Sequence, residues 1–232
     1  MTISRSVGIL FLHGYTGGRY ELDPLFDYLK SRYEFEYEFP VYPGHGSILD
    51  LKSVDGEDWY GEALNAYENL KQRVDCVCII GFSMGGVFAS YLAQDEPVEK
   101  LILIAPAFEH IGIPKIDKLH LIPRHFGEHV KMKNYQRIKK RLRNVPIRAY
   151  QEFKSITAAK KEGIENIRAK TMIVHGKQDL LVPYESSVEV AKRIPNARLE
   201  LIEDTPHLFA FSDHSQLELN VLSERFLFKE QM

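Results

Sequence analysis

The sequence predicts an α/β protein with a doubly wound, mainly parallel sheet of about six strands and helices on both faces. Short apolar runs, rich in β-branched and aromatic residues, recur along the chain and end at Gly, Pro or polar turn residues. Helical patterns lie between these runs, and strands that are apolar on both faces are typical of a parallel sheet covered by helices. The six predicted strands comprise residues 7–12, 35–42, 77–80, 101–104, 171–174 and 199–202.

Five segments between these strands have helical patterns. The clearest predicted helix covers residues 57–72, because apolar residues recur there at steps of three and four. Its apolar positions are Trp59, Ala63, Ala66, Tyr67 and Leu70. The other predicted helices cover residues 21–31, 84–94, 184–193 and 215–229.

A long insertion interrupts this alternation of strands and helices. The fourth and fifth strands are separated by far more residues than such a fold needs. We interpret residues 108–166 as an inserted cap, and residues 1–107 and 167–232 as the core domain. The cap carries 14 Lys and Arg against 6 Asp and Glu, whereas the rest of the chain carries 16 against 26. The net charge of −2 therefore conceals a basic cap on an acidic core.

The composition is that of a globular protein, with 44% hydrophobic and 27% charged residues in a chain of 232. The near balance of basic and acidic residues argues against a dedicated nucleic-acid-binding protein. Cys76 and Cys78 are too close in sequence for a stapling disulfide and lack the second pair that a zinc site needs, so we expect two reduced strand thiols. The first apolar run is too short for a signal peptide or a membrane span, which predicts a cytoplasmic protein without stable membrane insertion.

The strongest local motif is Gly81-Phe82-Ser83-Met84-Gly85-Gly86, a G-x-S-x-G pattern between a predicted strand and a predicted helix. A sharp strand-to-helix turn holds the serine in a strained conformation and presents its hydroxyl above the sheet. Small neighbours let the strand and the helix approach closely. The bare pattern also fits an ordinary glycine-rich turn, but its position between strand and helix favours Ser83 as a nucleophile.

A second glycine-rich segment, His13-Gly14-Tyr15-Thr16-Gly17-Gly18, follows the first strand. It could bring the backbone N–H of Tyr15 beside that of Met84, and two such donors form an oxyanion hole. The alternatives are a flexible turn or an anion-binding nest. We expect His13 to hydrogen-bond within the loop rather than to react.

A serine nucleophile needs a general base and an acid that orients the base. Asp179 follows the fifth strand and His207 follows the sixth, so both leave the sheet at the same edge as Ser83. A single Asp in a turn is more often a local cap, and a single His is more often a satisfied loop residue. Together, in the order Ser, Asp, His, they predict a catalytic triad. Asp204 and Asp213 are the alternatives for the acid.

These motifs resemble those of the α/β-hydrolase family. The matching segments are Leu12-His13-Gly14, Gly81-Phe82-Ser83-Met84-Gly85-Gly86, His175-Gly176-Lys177-Gln178-Asp179 and His207. Tyr42-Pro43-Gly44-His45-Gly46 and Asp58-Trp59-Tyr60 are similar to segments of monoacylglycerol lipases and small bacterial carboxylesterases. The resemblance covers the chain except the cap, and it implies a serine ester hydrolase with a movable cap. Because few residues precede the first strand, we expect the two antiparallel edge strands of larger members to be absent.

The predicted reaction is hydrolysis of small to medium carboxylic esters through an acyl-serine intermediate, with no metal or organic cofactor. The expected partner is therefore a small-molecule ester. Ile111, Ile113 and Ile116 either line an acyl pocket or pack the cap. An acyl thioesterase with the same triad is one alternative, and a non-catalytic ligand-binding protein of the same fold is another. The sequence does not separate a monomer from a homodimer.

Two patterns in the cap suggest other roles. His125-Phe126-Gly127-Glu128-His129 is an H-x-x-E-H pattern that could bind zinc on a helix, but Gly127 and the nearby Pro123 disfavour that helix. The run over residues 131–143 is basic and contains no acidic residue. It is either a solvated helix face or a patch for an anionic lipid surface, an acidic substrate or a partner. We favour the solvated face for the run, and an ester hydrolase over a zinc enzyme.

Overall fold

The structure is a computed structural model, and it describes residues 5–109 and 145–230. Within these residues the centre is a six-stranded sheet with parallel neighbours throughout, in the order β2-β1-β3-β4-β5-β6. The strands are β1 (Val7–Leu12), β2 (Glu36–Glu38), β3 (Cys76–Phe82), β4 (Val98–Ile104), β5 (Lys170–Gly176) and β6 (Ala197–Ile202). All six predicted strands are confirmed.

The edge strand β2 is much shorter than predicted. Residues 35–42 were expected to pair, but only Glu36–Glu38 do so. Pro40 has no N–H to donate to a neighbouring strand, so the chain leaves the sheet before it. The apolar side chains of Phe39 and Tyr42 are buried in the core without belonging to the strand.

The six α-helices of the described residues are α1 (Asp23–Lys30), α2 (Gly56–Lys71), α3 (Met84–Asp95), α4 (Ile147–Lys160), α5 (Tyr184–Arg193) and α6 (Asp213–Glu224). Five of them match predicted helical segments, and the sixth, α4 in the insertion, was not predicted. The predicted final helix is divided, because α6 continues as a π-helix over Arg225–Lys229. The buried ammonium of Lys100 in β4 donates to the carbonyls of Phe226 and Leu227 at 2.8 and 3.0 Å, which holds this last segment against the sheet.

Helices cover both faces of the sheet, as predicted. Leu10 and Leu12 of β1 lie in one apolar cluster with residues of α2, α3, α4 and α5. Ile9 and Phe11, which alternate with them, lie in a second cluster with residues of α1 and α6. This alternation is the two-residue period of a strand buried on both sides.

The described end of the predicted cap packs directly on the core. Ala149, Phe153 and Ile156 of α4 are buried in the same apolar cluster as α2 and α3. A Cβ atom on Gly56, the first residue of α2, would come within 2.6 Å of the Cβ of Ile156. Residues 110–144 lie outside the described residues, so the division into a core and a cap over 108–166 stays a prediction.

Two expectations from composition can be compared with the structure. Cys76 and Cys78 are free thiols buried in β3, as predicted, and burial raises the pKa of Cys78 to about 12. In the described ranges, no helix is long and apolar enough to cross a lipid bilayer.

Candidate active site

Ser83 lies in the tight turn between β3 and α3, at the carboxyl edge of the sheet. Its backbone angles are φ 54° and ψ −117°, a conformation that non-glycine residues rarely adopt. Its N–H donates to the carbonyl of Ile104 at 2.9 Å, and its carbonyl accepts from the N–H of Ala107 at 3.1 Å. The end of β4 and the loop after it therefore hold Ser83 in this strained conformation.

Three glycines allow this turn to close. A Cβ atom on Gly81 would overlap the carbonyl oxygen of Gly85, and one on Gly85 would overlap the carbonyl oxygen of Leu12. On Gly86, a Cβ atom would come within 2.9 Å of the Cβ of Pro106. The start of α3 thus touches the end of β1 on one side and the loop after β4 on the other, which explains why the motif needs small residues.

The segment after β1 forms a tight turn beside the start of α3. The N–H of Gly17 donates to the carbonyl of Gly14 at 3.1 Å, and Thr16 has a φ of 58°. Tyr15 is the second residue of this turn, so its N–H takes no part in the hydrogen bond that closes it. Met84 is the first residue of α3, and its N–H therefore has no acceptor within the helix. These two N–H groups are the predicted oxyanion donors.

Glu21 shapes the same turn, which we call the oxyanion turn (residues 14–17). Its Oε2 accepts the N–H of Gly14 at 2.8 Å, and a Cβ atom on Gly17 would overlap its carboxylate. Glu21 is buried, and a hydrogen bond from a backbone N–H to a carboxylate is stronger than one between neutral groups. The sequence holds no motif for this role, only an acidic residue seven positions after Gly14.

His13 supports the loop from the other side. The N–H of Tyr42 donates to its Nε2 at 3.3 Å, which leaves the proton on Nδ1. Nδ1 then donates to the carbonyl of Gly14 at 2.9 Å. His13 therefore hydrogen-bonds within the loop, as expected.

The side chain of Tyr15 links the oxyanion turn to α4. Its ring stacks on that of Phe153 with centroids 4.5 Å apart, and the ring of Trp59 lies 5.7 Å away. Burial raises the pKa of Tyr15, and the neighbouring Tyr150 raises it further. The described end of the insertion therefore contacts a residue whose N–H is a candidate oxyanion donor.

Asp179 lies in the loop after β5, and four donors hold its carboxylate. Oδ1 accepts from the N–H groups of Leu181 and Val182, both at 2.8 Å. Oδ2 accepts from Nδ1 of His207 at 2.6 Å and from Nε2 of His175 at 3.0 Å. Because an ionised carboxylate can only accept, these contacts place protons on Nδ1 of His207 and Nε2 of His175.

The surroundings of Asp179 keep it ionised. Burial is the largest single influence on its pKa and by itself would raise it. The favourable electrostatic interaction with His207 and the hydrogen bonds from both imidazoles together outweigh burial. The pKa of Asp179 therefore lies below its ordinary value, and the carboxylate is charged at neutral pH.

His207 joins Asp179 to Ser83. With a proton on Nδ1, its Nε2 is free to accept, and it lies 3.1 Å from Oγ of Ser83. The loops of Asp179 and His207 are bound to each other, since the N–H of Gln178 donates to the carbonyl of Thr205 at 3.0 Å. The structure thus brings the three residues of the predicted triad into one hydrogen-bonded chain. All three are buried.

His175 contributes to this arrangement although no role was predicted for it. It is fully buried at the end of β5, and its Nδ1 lies 2.7 Å from the hydroxyl of Ser187 in α5. The sequence signal was the position of a histidine four residues before the predicted acid, within the motif already compared with the family.

The remaining predicted residues fall into two groups. Ile111, Ile113 and Ile116, the H-x-x-E-H pattern at 125–129 and the basic run over 131–143 lie outside the described residues. Asp204, an alternative for the acid, instead accepts from Nε2 of Gln178 at 2.5 Å. Over residues 5–109 and 145–230, no group of three or more His, Cys, Asp or Glu side chains could hold a metal ion.

Known proteins with related sequences include two bacterial enzymes. A thermostable monoacylglycerol lipase of Bacillus sp. (strain H-257) is 34% identical over 112 residues, which is 47% of this chain and 43% of that enzyme. This chain therefore aligns with less than half the length of that relative. A carboxylesterase of Bacillus subtilis (strain 168) is 23% identical over 225 residues, covering 90% of this chain and 87% of that enzyme.

The fold is also that of a large group of solved structures. One, reported with the metagenome-derived lipolytic enzymes LipS and LipT, has a TM-score of 0.79 at 20% identity and covers 97% of this chain and 95% of its own. At this identity the likeness concerns the fold alone. A model of the alpha/beta hydrolase family matches residues 9–218, which is most of the chain. The resemblance found in the motifs is thereby confirmed, and the chain belongs to the alpha/beta hydrolase family.

Proposed function

We propose that this protein is a serine ester hydrolase that cleaves small to medium carboxylic esters, in the manner of a carboxylesterase or a monoacylglycerol lipase. The observation that carries this proposal is the chain of hydrogen bonds from Ser83 through His207 to Asp179, with distances of 3.1 and 2.6 Å. In this arrangement a base can remove the proton of the nucleophile while an acid orients the base. The names of the two bacterial relatives support the same reaction class.

The reaction follows from the positions of the protons. Oγ of Ser83 attacks the ester carbonyl carbon while its proton passes to Nε2 of His207, and Asp179 stabilises the resulting imidazolium. His207 then gives this proton to the alcohol oxygen as the ester C–O bond breaks, which leaves the acyl group on Ser83. Water next attacks the acyl-serine and gives its proton to His207. The carboxylic acid departs as Ser83 regains a proton from His207.

The oxyanion formed in each attack needs donors that are already in position. The N–H groups of Tyr15 and Met84 suit this role, because neither is used by the turn or the helix to which it belongs. Preorganised donors of this kind are worth about 3 to 4 kcal/mol each in the transition state. The amino end of α3 adds a favourable dipole at the same place.

For the acyl pocket, only the sequence offers candidate residues. Ile111, Ile113 and Ile116 remain our candidates for it, and they lie in the part of the chain that the structure does not describe. Cytoplasmic location, independence of a cofactor, and a monomeric or homodimeric state also stay predictions.

A graded substrate series tests the proposal. Purified protein is incubated with chromogenic esters of short to long acyl chains and, in parallel, with a long-chain acyl thioester. We expect ester hydrolysis that falls by about three orders of magnitude or more in Ser83→Ala and in His207→Ala. The chain length of the best substrate then separates carboxylesterase-like from monoacylglycerol lipase-like use, and a preference for the thioester would point to the thioesterase alternative.

Matched controls exist for both variants. Ser90→Ala removes a buried serine of α3 whose described hydrogen bond is to the carbonyl of Val87, and His214→Ala removes a histidine on the outside of α6. Both should turn over like the wild type. Hydrolysis that survives in Ser83→Ala would contradict the assignment. A folded wild type that is inert on every substrate would favour the non-catalytic ligand-binding alternative.

A further inference from the structure

We propose that His175 is a positioning residue for the acid of the triad, holding Oδ2 of Asp179 in the orientation that His207 needs. This role presupposes the proposed ester hydrolysis. His175 has no exposed surface, so every polar contact of its ring is made inside the protein. It would not touch the substrate, and it would act on the reaction only through Asp179.

The ring of His175 is fixed at both nitrogens. Nε2 lies 3.0 Å from Oδ2 of Asp179 and 3.2 Å from the carbonyl of Val182. Both neighbours can only accept, so Nε2 carries a proton. Nδ1 lies 2.7 Å from Oγ of Ser187, whose hydroxyl can donate to it. The imidazole therefore spans the space between α5 and the loop of Asp179.

This contact completes the support of the carboxylate. The N–H groups of Leu181 and Val182 fix Oδ1 but leave Oδ2 to be held by histidines alone. One of them, His207, changes its charge during each catalytic cycle. His175 is the partner of Oδ2 that keeps the same proton throughout. It also satisfies a lone pair that would otherwise be buried without a donor, which is costly for a charged group.

A purely structural role would give a different pattern of effects. In that case His175 only ties β5 to α5, and its replacement lowers the amount of folded protein without changing how Asp179 acts. A positioning role predicts that turnover falls in the folded protein, and that the fall requires an aspartate at position 179.

Two amide substitutions separate these roles. The amide of Gln reaches the place of Nε2 and can still donate to Asp179, whereas the shorter Asn reaches only the place of Nδ1 and keeps the contact with Ser187. We expect His175→Asn to lower kcat about tenfold with KM changed by less than about twofold, and His175→Gln to stay within about threefold of the wild type. In an Asp179→Asn background, His175→Asn should change the residual kcat by less than about twofold.

A second measurement does not depend on turnover. The proton on Nδ1 of His207 should give a far-downfield proton NMR signal, because it lies in a short hydrogen bond of 2.6 Å to a carboxylate. We expect this signal to persist in His175→Gln and to shift or exchange faster in His175→Asn. Ester hydrolysis that is missing in the wild type, or unaffected in Ser83→Ala, would refute the proposed function, and the NMR signal would still decide the role of His175.

Three results would overturn the inference. The first is that His175→Asn and His175→Gln have the same kcat per folded molecule. The second is that His175→Asn lowers kcat by the same factor whether residue 179 is Asp or Asn. The third is an unchanged NMR signal in His175→Asn. If neither amide variant folds, Ser187→Ala takes their place, because it removes only the hydrogen bond to Nδ1 of His175. Ser187→Ala alone should lower kcat about threefold, and it should have no effect when combined with Asp179→Asn. If Ser187→Ala alone left kcat unchanged, the positioning role of His175 would be refuted.

Discussion

The turn that carries Ser83 meets the loops of Asp179 and His207 at the hydrogen bond between Ser83 and His207, but different interactions hold the two sides in place. On the nucleophile side, the structure depends on close packing of backbone on backbone, and a Cβ atom at Gly81 or Gly85 would overlap a carbonyl group. On the acid-base side, Asp179 is held by four hydrogen bonds to its carboxylate.

This difference predicts how each side fails. The packed turn of Ser83 cannot accept a larger side chain unless a strand or a helix moves, so a substitution there should first lower the stability of the protein. The carboxylate of Asp179 can be replaced by an amide of the same shape, so this substitution should leave the fold intact and lower turnover instead. The following substitutions test that contrast.

The largest effect is expected from Asp179→Asn. The amide oxygen can still accept from the N–H groups of Leu181 and Val182. The amide nitrogen, however, would face the two histidine nitrogens that donate to Oδ2 in the wild type. His207 would then take the other tautomer and present a proton to Ser83 instead of a lone pair. We expect kcat to fall about 10³- to 10⁴-fold, measured with the best chromogenic ester.

Asp204→Asn is the matched control for this substitution. Asp204 is exposed and has a φ of 49°, a conformation that Asn tolerates well. Its kcat should stay within about twofold of the wild type, because the amide oxygen of Asn can still accept from Nε2 of Gln178. If Asp204→Asn lost activity and Asp179→Asn kept it, the acid would have to be reassigned.

The next effect concerns stability on the nucleophile side. A Cβ atom in Gly85→Ala would overlap the carbonyl of Leu12, so β1 or α3 must shift. We expect the free energy of unfolding to fall by about 3 kcal/mol, measured by urea denaturation. Gly61→Ala in α2 is the control, because a Cβ there meets nothing within 4 Å. That variant should gain about 0.5 to 1 kcal/mol from its better helix propensity, and equal losses in both variants would contradict the steric explanation.

The oxyanion turn should show an intermediate response, because packing and a hydrogen bond act there together. A methyl group in Gly17→Ala would overlap the carboxylate of Glu21 and displace it from the N–H of Gly14. We expect kcat to fall about tenfold, less than for the loss of an oxyanion donor itself. Gly18→Ala is the control, since its Cβ would make only an ordinary contact of 3.5 Å with Tyr20. A turnover equal to that of the wild type in Gly17→Ala would show that Glu21 does not position the turn.

The same contrast explains what the sequence could and could not reveal. The tight turn at Ser83 was predictable because its close packing requires glycines at neighbouring positions, which are visible in the motif. Asp179 and His207 were predictable because parallel strands end at one edge of the sheet, so residues that follow β5 and β6 lie near each other.

Contacts that depend on tertiary packing left weaker signals. Glu21 and His175 act through buried polar contacts that no sequence motif assigns. For His175 the sequence offered only its position four residues before Asp179. The length of β2 was overestimated for a related reason. The apolar residues Phe39 and Tyr42 read as part of a strand, but they are buried by packing outside the sheet.

The smallest predicted effect is a difference in pH dependence. The pKa of Asp179 is lower in the folded protein than its ordinary value of about 3.9. A group of this kind contributes stability above its unfolded pKa, and the contribution is lost as the pH falls towards the folded pKa. Below about pH 4, the free energy of unfolding of the wild type should therefore fall more steeply than that of Asp179→Asn, by at most about 1.4 kcal/mol per pH unit.

Ser83→Ala sharpens this last test, because it changes the nucleophile side alone. A serine hydroxyl does not titrate in this range, so the variant should keep the wild-type slope even though its turnover is lost. Urea denaturation at several pH values from about 5 downwards gives all three slopes. If Asp179→Asn had the wild-type slope as well, the charge of Asp179 would contribute nothing to acid stability. The loops of Asp179 and His207 would then be stabilised by the geometry of their hydrogen bonds rather than by the charge of the carboxylate.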